Sequence, residues 1–548
     1  MENDSDDSQP KEGTEQVQLI ARLEWAVAIL LSAVALVLFV VRATHAGALW
    51  RDEAESVQSA QMPLPEMIDA VQYSSFPILF PLAVRTWTSA LGAGDASLRG
   101  FGVAVGISLL AASWLAVRKL TGSAPLLLLA VIGLNANFLI AGMSLRGYGL
   151  GSLMMLLAFV STVRLLLSPT SLMLAAVLVA DLACLQCLFF NLALMLSIAA
   201  AATCVLLLRR DVRSIWLLTA VVIICVLSYV FYASQFYSSG RIWAKILQVP
   251  VSFQLVCQSL FRAWGDISPT ISCIWLATIC VAMIFGVWRL AAFWRNNRSH
   301  ERDLFFFGIL LIPLSMIASY VFVRFLPRPP DLRYFLALTI VVVGTVDLVW
   351  AYFPIWLRAV RVGLVLAATV ALPFSFWGMV IQAESNSETV ARAVEQNGTP
   401  ADLVVVNPWN YGVSFNWYYH AATRWICVPE IDDHRVHRYD LLLKKMESAA
   451  PLADLEDKIA ATLKSGNHVL LVGYVELPSP GEKQLQLSPA PDPKFGWQGY
   501  PYRQAWSQEI GLFLSQHVKR ATQADLRTPQ IVSDRETMFL YLLEGWKN

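Results

Sequence analysis

Long apolar runs separated by short polar segments dominate residues 23–381 of the chain. A bilayer crossing needs about 20 mostly apolar residues. The pattern predicts eleven such spans, at 23–43, 101–117, 124–143, 149–167, 172–189, 192–208, 215–235, 271–290, 304–323, 335–352 and 362–381. The apolar stretch 78–91 is shorter and contains Arg85, which is typical of a helix lying in the membrane interface. The sequence therefore predicts a polytopic α-helical membrane protein.

Polar residues return after residue 381, and the apolar runs become short. Helical patterns at 387–397 and 453–464 alternate with short apolar segments typical of buried strands, which lie at 401–406, 467–473 and 539–543. Such alternation predicts a small soluble α/β domain at 382–548. The sequence contains neither a GxGxxG motif nor a P-loop, so no nucleotide-binding site is indicated.

Residues 1–22 precede the first predicted span. Residues 1–18 hold six acidic residues against one basic residue and contain no apolar stretch. A signal peptide needs a basic start before an apolar core, so this composition predicts a disordered cytoplasmic tail instead. The transmembrane domain is then predicted at 23–381.

Lysine and arginine are concentrated in alternate short loops between the predicted spans. Cytoplasmic loops carry an excess of these residues, and this rule places the N-terminus in the cytoplasm. The basic residues assigned to the cytoplasmic side are Arg118, Lys119, Arg209, Arg210, Arg213, Arg289, Arg295, Arg298, Arg302, Arg358 and Arg361. The other side then receives a first outer loop at 44–100, a second outer loop at 236–270, and the C-terminal domain.

The composition is typical of a membrane protein, and the net charge bears on the kind of partner it binds. Only 15% of the residues are charged and 56% are hydrophobic, whereas soluble domains carry about 25% charged residues. The net charge of +1 gives no electrostatic indication of a nucleic-acid partner. The composition therefore indicates a multi-pass protein of the lipid bilayer. As its location we expect a prokaryotic inner membrane rather than the endoplasmic reticulum.

Three carboxylates open the first outer loop directly after a predicted span: Asp52, Glu53 and Glu55. A solvated turn would explain such residues in many proteins, but this loop continues into apolar, aromatic and proline-rich sequence. We therefore expect the carboxylates to pack under an interfacial layer, where one of them can take a proton from a hydroxyl group. Because two carboxylates this close cannot both ionise freely, one is expected to have a raised pKa.

Further elements follow this acidic pair in a fixed order along about 350 residues: Ser75-Phe76-Pro77-Ile78-Leu79, Leu91-Gly92, Leu98-Arg99, Leu145-Arg146-Gly147-Tyr148 and Arg333-Tyr334-Phe335. Together with Asp52-Glu53 they resemble the signature of the GT-C membrane glycosyltransferases, more narrowly the branch of protein O-mannosyltransferases and lipid A aminoarabinose transferase. Two positions depart from that pattern, since relatives often have His-Pro-Pro at Ser75-Phe76-Pro77 and Glu at Ser144.

The resemblance implies an inverting hexosyl or pentosyl transferase that uses a polyprenyl-phosphate-linked sugar as its donor. The acceptor would be a lipid, a glycan or a protein at the outer face of the cytoplasmic membrane. Asp52 would be the general base, and Glu53 would orient the acceptor or share that role. The donor phosphate would be bound by Arg333, Arg146, Tyr334 and Tyr148, although snorkelling at a span end is an alternative for both arginines. No metal ligands are predicted, and a divalent metal is compatible with the chemistry.

Weaker candidates lie elsewhere in the outer regions. Glu55, Arg241, Lys245 and Arg262 are candidates for acceptor or loop contacts, and a solvated amphipathic helix is the competing explanation for the three basic residues. His434 and His437 have a spacing that could bind a metal, which we consider the weaker interpretation. The segment 416–420, Asn-Trp-Tyr-Tyr-His, could stack on a sugar or be a packed aromatic strand.

Two functions of other classes stay open at this point. A secondary transporter would need internal pseudo-symmetry, but the sequence shows no repeat and the predicted span number is odd. Its main support is Asp181 inside the fifth predicted span, where a helix–helix hydrogen bond is the preferred explanation. The second alternative is a non-catalytic assembly or binding subunit that uses the C-terminal domain for recognition.

Overall fold

The computed structural model describes residues 9–247, 251–265, 268–293, 300–326, 329–479, 481–526 and 530–547. The helices of its N-terminal part are α1 (Gln9–His45), α2 (Arg51–Gln61), α3 (Leu64–Ala70), α4 (Leu79–Leu91), α5 (Asp95–Thr121), α6 (Leu126–Leu134), α7 (Gly147–Leu167), α8 (Ser171–Cys187), α9 (Asn191–Arg209), α10 (Val212–Leu227), α11 (Ala233–Ile246), α12 (Phe253–Gly265), α13 (Pro269–Phe293), α14 (His300–Phe325), α15 (Leu336–Trp350), α16 (Ile355–Ser375) and α17 (Trp377–Val380).

Within the described residues, nine helices are long and apolar enough to cross a membrane: α1, α5, α7, α9, α10, α13, α14, α15 and α16. The apolar helix α8 is shorter, with 17 residues, and corresponds to the span predicted at 172–189. The predicted class, a polytopic helical membrane protein with a C-terminal α/β domain, is confirmed. The short helix α4 covers the stretch predicted to lie in the interface.

The predicted span at 124–143 is not one continuous helix. Helix α6 ends at Leu134, and a π-helical turn follows at Phe138–Gly142. The side-chain Oδ1 of Asn135 accepts the backbone N–H of Asn137 at 2.9 Å. Because this side chain offers the backbone a partner outside the helix ladder, the apolar run is broken at Asn135.

The predicted disordered tail also differs from the structure. Helix α1 begins at Gln9, so residues 9–22 of the predicted tail are helical. Residues 1–8 lie outside the described part of the chain. Each residue added to an existing helix gains one backbone hydrogen bond, whereas starting a helix is costly. The apolar span therefore extends into the polar residues that precede it.

Helix α15 is the centre of the bundle, with every residue from Leu336 to Trp350 buried. A helix that is apolar all round is typical of such a position. Its single acid, Asp347, accepts the backbone N–H groups of Leu127 and Leu128 at 3.1 Å and pairs with Arg361 at 3.2 Å. These bonds fix α15 at the end predicted to be cytoplasmic, and the opposite end follows Arg333.

The C-terminal part contains α18 (Ser387–Asn397), β1 (Leu403–Asn407), α19 (Gly412–Tyr418), β2 (Arg424–Cys427), α20 (Tyr439–Met446), α21 (Ala453–Lys464), β3 (Val469–Gly473), α22 (Gly499–His517), β4 (Val518–Gln523) and β5 (Leu540–Trp546). Its sheet has the order β2-β1-β3-β5-β4. Strand β1 pairs in parallel with β2 and β3, while β5 is antiparallel to β3 and β4. The sequence pattern had indicated β1, β3 and β5, but not β2, β4 or α22.

The α/β domain packs directly on the segment that holds the predicted carboxylates. The backbone N–H of Leu49 donates to the Tyr418 hydroxyl at 2.7 Å, and that hydroxyl donates to Asp95 at 2.9 Å. The side-chain amide of Gln58 donates to the carbonyl of Val413 at 3.0 Å. Helix α19 therefore holds α2 and the start of α5 together.

Candidate functional site

Helix α2 sets the directions of the three carboxylates. Asp52 and Glu53 lie in its first turn, where the helix dipole favours negative charge. Successive residues of an α-helix are rotated by about 100°, so Glu55 lies about 60° from Asp52, while Glu53 lies about 100° away on the other side. The carboxylates of Asp52 and Glu55 can therefore meet one common partner, and Glu53 faces other elements.

Asp52 lies between guanidinium groups and is partly open to solvent, with 17% of its side chain exposed. Its Oδ2 is 3.3 Å from Nη1 of Arg333 and 3.8 Å from Nη2 of Arg146. Its Oδ1 is 4.0 Å from Nε of Arg51. This is the most exposed of the three carboxylates, since the side chains of Glu53 and Glu55 are almost completely buried.

The charge state of Asp52 follows from this surrounding. Burial alone would raise the pKa of Asp52, but the charges of Arg146 and Arg333 outweigh burial and hold the pKa well below its usual range. The raised pKa expected for one of the two adjacent acids is therefore not found at Asp52. The side chain is an ionised carboxylate at neutral pH, and the arginines that lower its pKa also make it a weaker base.

Glu53 is enclosed by protein and does not face the same space as Asp52. Its two carboxylate oxygens accept hydrogen bonds from Nη1 of Arg99 at 2.8 and 2.9 Å. Its Oε1 also accepts the backbone N–H of Leu145 at 3.0 Å. The predicted role of Glu53 in orienting an acceptor does not fit this position, because the side chain has no exposed oxygen. Glu53 instead ties α2 to α5 and to the segment that carries Arg146.

Glu55 orients Arg146 and links it to the C-terminal domain. Its Oε2 accepts a hydrogen bond from Nη1 of Arg146 at 3.0 Å, and its Oε1 accepts one from the backbone N–H of His437 at 3.2 Å. Nδ1 of His437 lies 3.2 Å from the same Oε1. Burial would raise the pKa of Glu55, but His437 and then Arg146 lower it. Glu55 is thus part of the frame of the site rather than a group that reaches an acceptor.

The segment around Arg146 is shaped by the space that Gly147 leaves. Nη1 of Arg146 also donates to the carbonyl of Asp52 at 2.7 Å, and its guanidinium lies 4.6 Å from the ring centroid of Phe76. A Cβ atom on Gly147 would come within 2.5 Å of that Phe76 ring. A glycine is therefore required for the aromatic ring to pack beneath the arginine.

Arg333 completes the site from the turn before α15. Its guanidinium carbon lies 5.5 Å from the ring centroid of Tyr148 and 6.0 Å from that of Tyr334. The two tyrosine rings are 6.2 Å apart. The structure therefore brings the four residues predicted to bind the donor phosphate together around Asp52, although they come from distant parts of the sequence.

Three of the weaker candidates lie away from this cluster. Arg241 packs over the ring of Tyr237, and Lys245 packs over the ring of Trp497 in the C-terminal domain. Arg262 is exposed on α12. These contacts include no residue of the carboxylate site. Asp181, the residue that favoured a transporter, is buried in α8.

Several residues of the site were not singled out from the sequence. The ring of Trp50 has the guanidinium carbons of Arg51, Arg333 and Arg535 at 5.4, 5.6 and 5.6 Å from its centroid. The backbone N–H of Arg51 donates to Oε2 of Glu536 at 2.9 Å. Burial raises the pKa of Glu536, against the charge of Arg51. Position beside Asp52 could have indicated Arg51, whereas no local signal connects residues 535–536 with this loop.

The described residues contain no group of three or more His, Cys, Asp or Glu arranged to hold a metal ion. The histidine pair with metal-like spacing faces two different neighbours. His434 packs against the ring of Trp425 at 4.2 Å between centroids, whereas His437 contacts Glu55.

An apolar groove of about 320 Å³ lies between α6, α13 and α16. Its lining extends from Asn135 and Trp264 at one end to Trp350 and Arg361 at the other. The first end is close to the Arg333 turn, because Nδ2 of Asn137 donates to the carbonyl of Leu332 at 2.9 Å. The groove therefore runs through the bundle from the level of the carboxylate site towards the opposite end of α15.

No protein-family model and no curated protein matches this chain. Among solved structures, it is similar to the crystal structure of ArnT from Cupriavidus metallidurans bound to undecaprenyl phosphate, with 14% identity and a TM-score of 0.39 over 82% of this chain and 92% of that one. It is also similar to the same protein in the apo state, with 14% identity and a TM-score of 0.34 over 81% and 92% of the two chains.

Proposed function

We propose that this chain is an integral-membrane glycosyltransferase that moves a sugar from a polyprenyl-phosphate donor to a hydroxyl group of a lipid, glycan or protein acceptor. One observation carries the proposal: the partly exposed Asp52 carboxylate lies between the guanidinium groups of Arg146 and Arg333. Glycosyl transfer needs a base for the incoming hydroxyl and positive charge for the departing phosphate. Both kinds of group are adjacent here.

The chemistry assigns one task to each side of this cluster. The acceptor oxygen attacks the anomeric carbon, its proton passes to the Asp52 carboxylate, and the bond between that carbon and the phosphate oxygen breaks. The electron pair leaves with the polyprenyl phosphate, whose negative charge Arg333 and Arg146 stabilise. Attack from the side opposite the phosphate inverts the anomeric centre. The rings of Tyr148 and Tyr334 belong to the same cluster, and we assign their hydroxyls as hydrogen-bond donors to the phosphate oxygens.

Donor binding also makes Asp52 a better base. The 3.3 Å separation between Arg333 and Asp52 is longer than the about 2.7–2.9 Å of a strong charge-assisted hydrogen bond. A phosphate that takes hydrogen bonds from the arginines weakens their attraction for Asp52 and adds a negative charge nearby. Both effects raise the pKa of Asp52 from its depressed value. The carboxylate therefore becomes basic when the leaving group is in place.

The isoprenoid chain of such a donor needs an apolar path that ends near the phosphate. The groove between α6, α13 and α16 offers that path, because its lining is almost entirely apolar and one end adjoins the Arg333 turn. Since the groove is as apolar as the hydrocarbon of the bilayer, the isoprenoid chain can pass from the membrane into it without exposure to water. We accordingly assign the lipid tail to this groove and its phosphate to the arginine pair.

The proposal includes an orientation in the membrane. The positive-inside pattern favours a cytoplasmic N-terminus and puts the carboxylate site and the C-terminal domain on the extracytoplasmic side. Transfer would then take place at the outer face of the cytoplasmic membrane. Glu53 has a structural role in this scheme, and Asp52 acts as the only base.

Arg333→Gln is expected to weaken donor binding. Removing a charged hydrogen-bond donor costs about 1.5–3 kcal/mol, which corresponds to a roughly 10- to 100-fold higher Kd for polyprenyl phosphate. The measurement is equilibrium binding of a labelled polyprenyl phosphate to the purified protein in lipid nanodiscs.

Arg520→Gln is the matched control, because Arg520 is an exposed arginine on β4 with 72% of its side chain accessible. It should bind the donor lipid like the unaltered protein. Equal affinity of Arg333→Gln and Arg520→Gln for polyprenyl phosphate would contradict the phosphate assignment.

A further inference from the structure

A second, polar pocket lies at the contact between the first outer loop and the C-terminal domain. Its volume of about 880 Å³ falls in the range of small-molecule sites, roughly 300–1,000 Å³. The end of α2, the turn before α5, and the helices α18 and α19 form its walls. None of the groups assigned to the donor lines it, so the pocket is separate from the Asp52 cluster.

One wall of the pocket is aromatic and its surroundings are rich in hydrogen-bonding groups. Trp417 and Tyr418 line it and are both half-buried. The amide of Asn416 donates to Oε1 of the buried Gln58 at 2.6 Å, which fixes both side chains at the pocket wall. A half-exposed indole offers a flat apolar face with a negative quadrupole, which suits the C–H face of a sugar ring, while fixed amides suit its hydroxyl groups.

The charges of the pocket select among polar ligands. Its lining contains the carboxylates of Asp95, Glu388 and Glu395 against the guanidinium groups of Arg392 and Arg435. Arg392 pairs with Glu388, and Arg435 pairs with a carboxylate outside the lining at 2.8 Å. Each carboxylate has about four lone-pair sites, so Glu395, whose Oε1 accepts the backbone N–H of His420 at 2.9 Å, keeps capacity for hydroxyl or ammonium donors. An anionic ligand would meet net negative charge.

We propose that this pocket binds an uncharged or amino-substituted saccharide, stacked on Trp417 and hydrogen-bonded by the carboxylates and amides around it. From Asp52 to Gln58, α2 rises by about 9 Å and turns by about 240°, so a sugar in the pocket does not itself meet Asp52. An acceptor glycan anchored here by one unit presents another unit at the base. Only this last step, the identification of the saccharide as the acceptor, rests on the proposed function.

The test uses the full-length protein in nanodiscs without any donor, titrated calorimetrically with three trisaccharides: maltotriose, the β-1,4-linked glucosamine trimer, and trigalacturonate. Maltotriose and the glucosamine trimer should bind, and trigalacturonate should bind at least about ten-fold more weakly. Trp417→Leu should weaken binding of the first two roughly two- to ten-fold, because leucine lacks the flat ring face on which the sugar stacks. Trp425→Leu is the matched control, because Trp425 is another half-buried indole of the same domain but does not line the pocket.

A second variant covers the case in which Trp417→Leu does not fold. Glu395→Gln should weaken binding of the glucosamine trimer more than binding of maltotriose, because the ammonium groups lose a carboxylate partner. No binding of either trimer, or equal binding of all three trimers to the unaltered protein and to the variants, would overturn the proposal.

The outcome is distinguishable from failure of the proposed transferase function. Asp52→Asn should bind the trisaccharides like the unaltered protein, because Asp52 lies on another face of α2. Trisaccharide binding that depends on Trp417, combined with full transfer activity of Asp52→Asn, would contradict the proposed transferase function but support the saccharide pocket. Absence of trisaccharide binding, combined with loss of transfer in Asp52→Asn, would contradict the saccharide pocket but support the transferase function.

Discussion

Asp52→Asn should lower the rate of sugar transfer about 10²- to 10⁴-fold, the usual contribution of a positioned general base. The substitution preserves the shape of the side chain but removes its charge, and an amide cannot accept the acceptor's proton. We expect the effect in kcat, with donor binding retained or improved because the arginines lose a competing carboxylate. The measurement is transfer from a labelled polyprenyl-phosphate sugar by purified protein, together with its thermal unfolding temperature.

Asp69→Asn is the matched control for this experiment. Asp69 is an exposed carboxylate on α3 in the same outer loop, and none of its contacts reaches the arginine pair. Its substitution should leave transfer unchanged. Full activity of a folded Asp52→Asn protein would remove Asp52 from the base role and with it the mechanism proposed above.

Substitution of the neighbouring Glu53 should have a large effect on the stability of the protein rather than on the rate of transfer. Glu53→Ala leaves the guanidinium of Arg99 buried without its carboxylate partner, and Arg99 is only 8% exposed. Breaking a buried ion pair by removing one partner costs about 3–5 kcal/mol of unfolding free energy. Chemical denaturation in detergent micelles should show this loss, while the folded fraction should keep most of its kcat.

A double variant separates charge burial from other causes of the instability. Glu53→Leu combined with Arg99→Met removes both charges and keeps apolar volume, and such replacements are often neutral or stabilising. It should recover much of the stability lost in Glu53→Ala. Retained stability of Glu53→Ala together with a loss of kcat would show instead that Glu53 takes part in the reaction.

The residues that the sequence order and topology did indicate are those at predicted span ends. Asp52, Arg146, Tyr148, Arg333 and Tyr334 were each placed on the outer side by the same arginine and lysine pattern, and the structure brings them together. Span ends are readable because an apolar run has to end where the bilayer ends. Their proximity follows once the spans pack into one bundle.

The different fates of Asp52 and Glu53 could not be read from the sequence. Their environments depend on which way each side chain of α2 points. A shift of the helix by one residue would rotate both side chains by about 100° about the helix axis. His437 contacts this loop from 382 residues further along the chain, and Glu536 from 485 residues further. Contacts of that kind depend on how the α/β domain packs on the bundle, and no local pattern encodes it.

A structure of the protein bound to polyprenyl phosphate in nanodiscs, determined by cryo-electron microscopy, tests the central claim most directly. Phosphate oxygens should lie within about 2.7–3.2 Å of the guanidinium nitrogens of Arg146 and Arg333, next to Asp52, with the isoprenoid chain in the groove between α6, α13 and α16. A phosphate bound at the Arg361 end of that groove, or one that leaves both arginines on Asp52, would contradict the account.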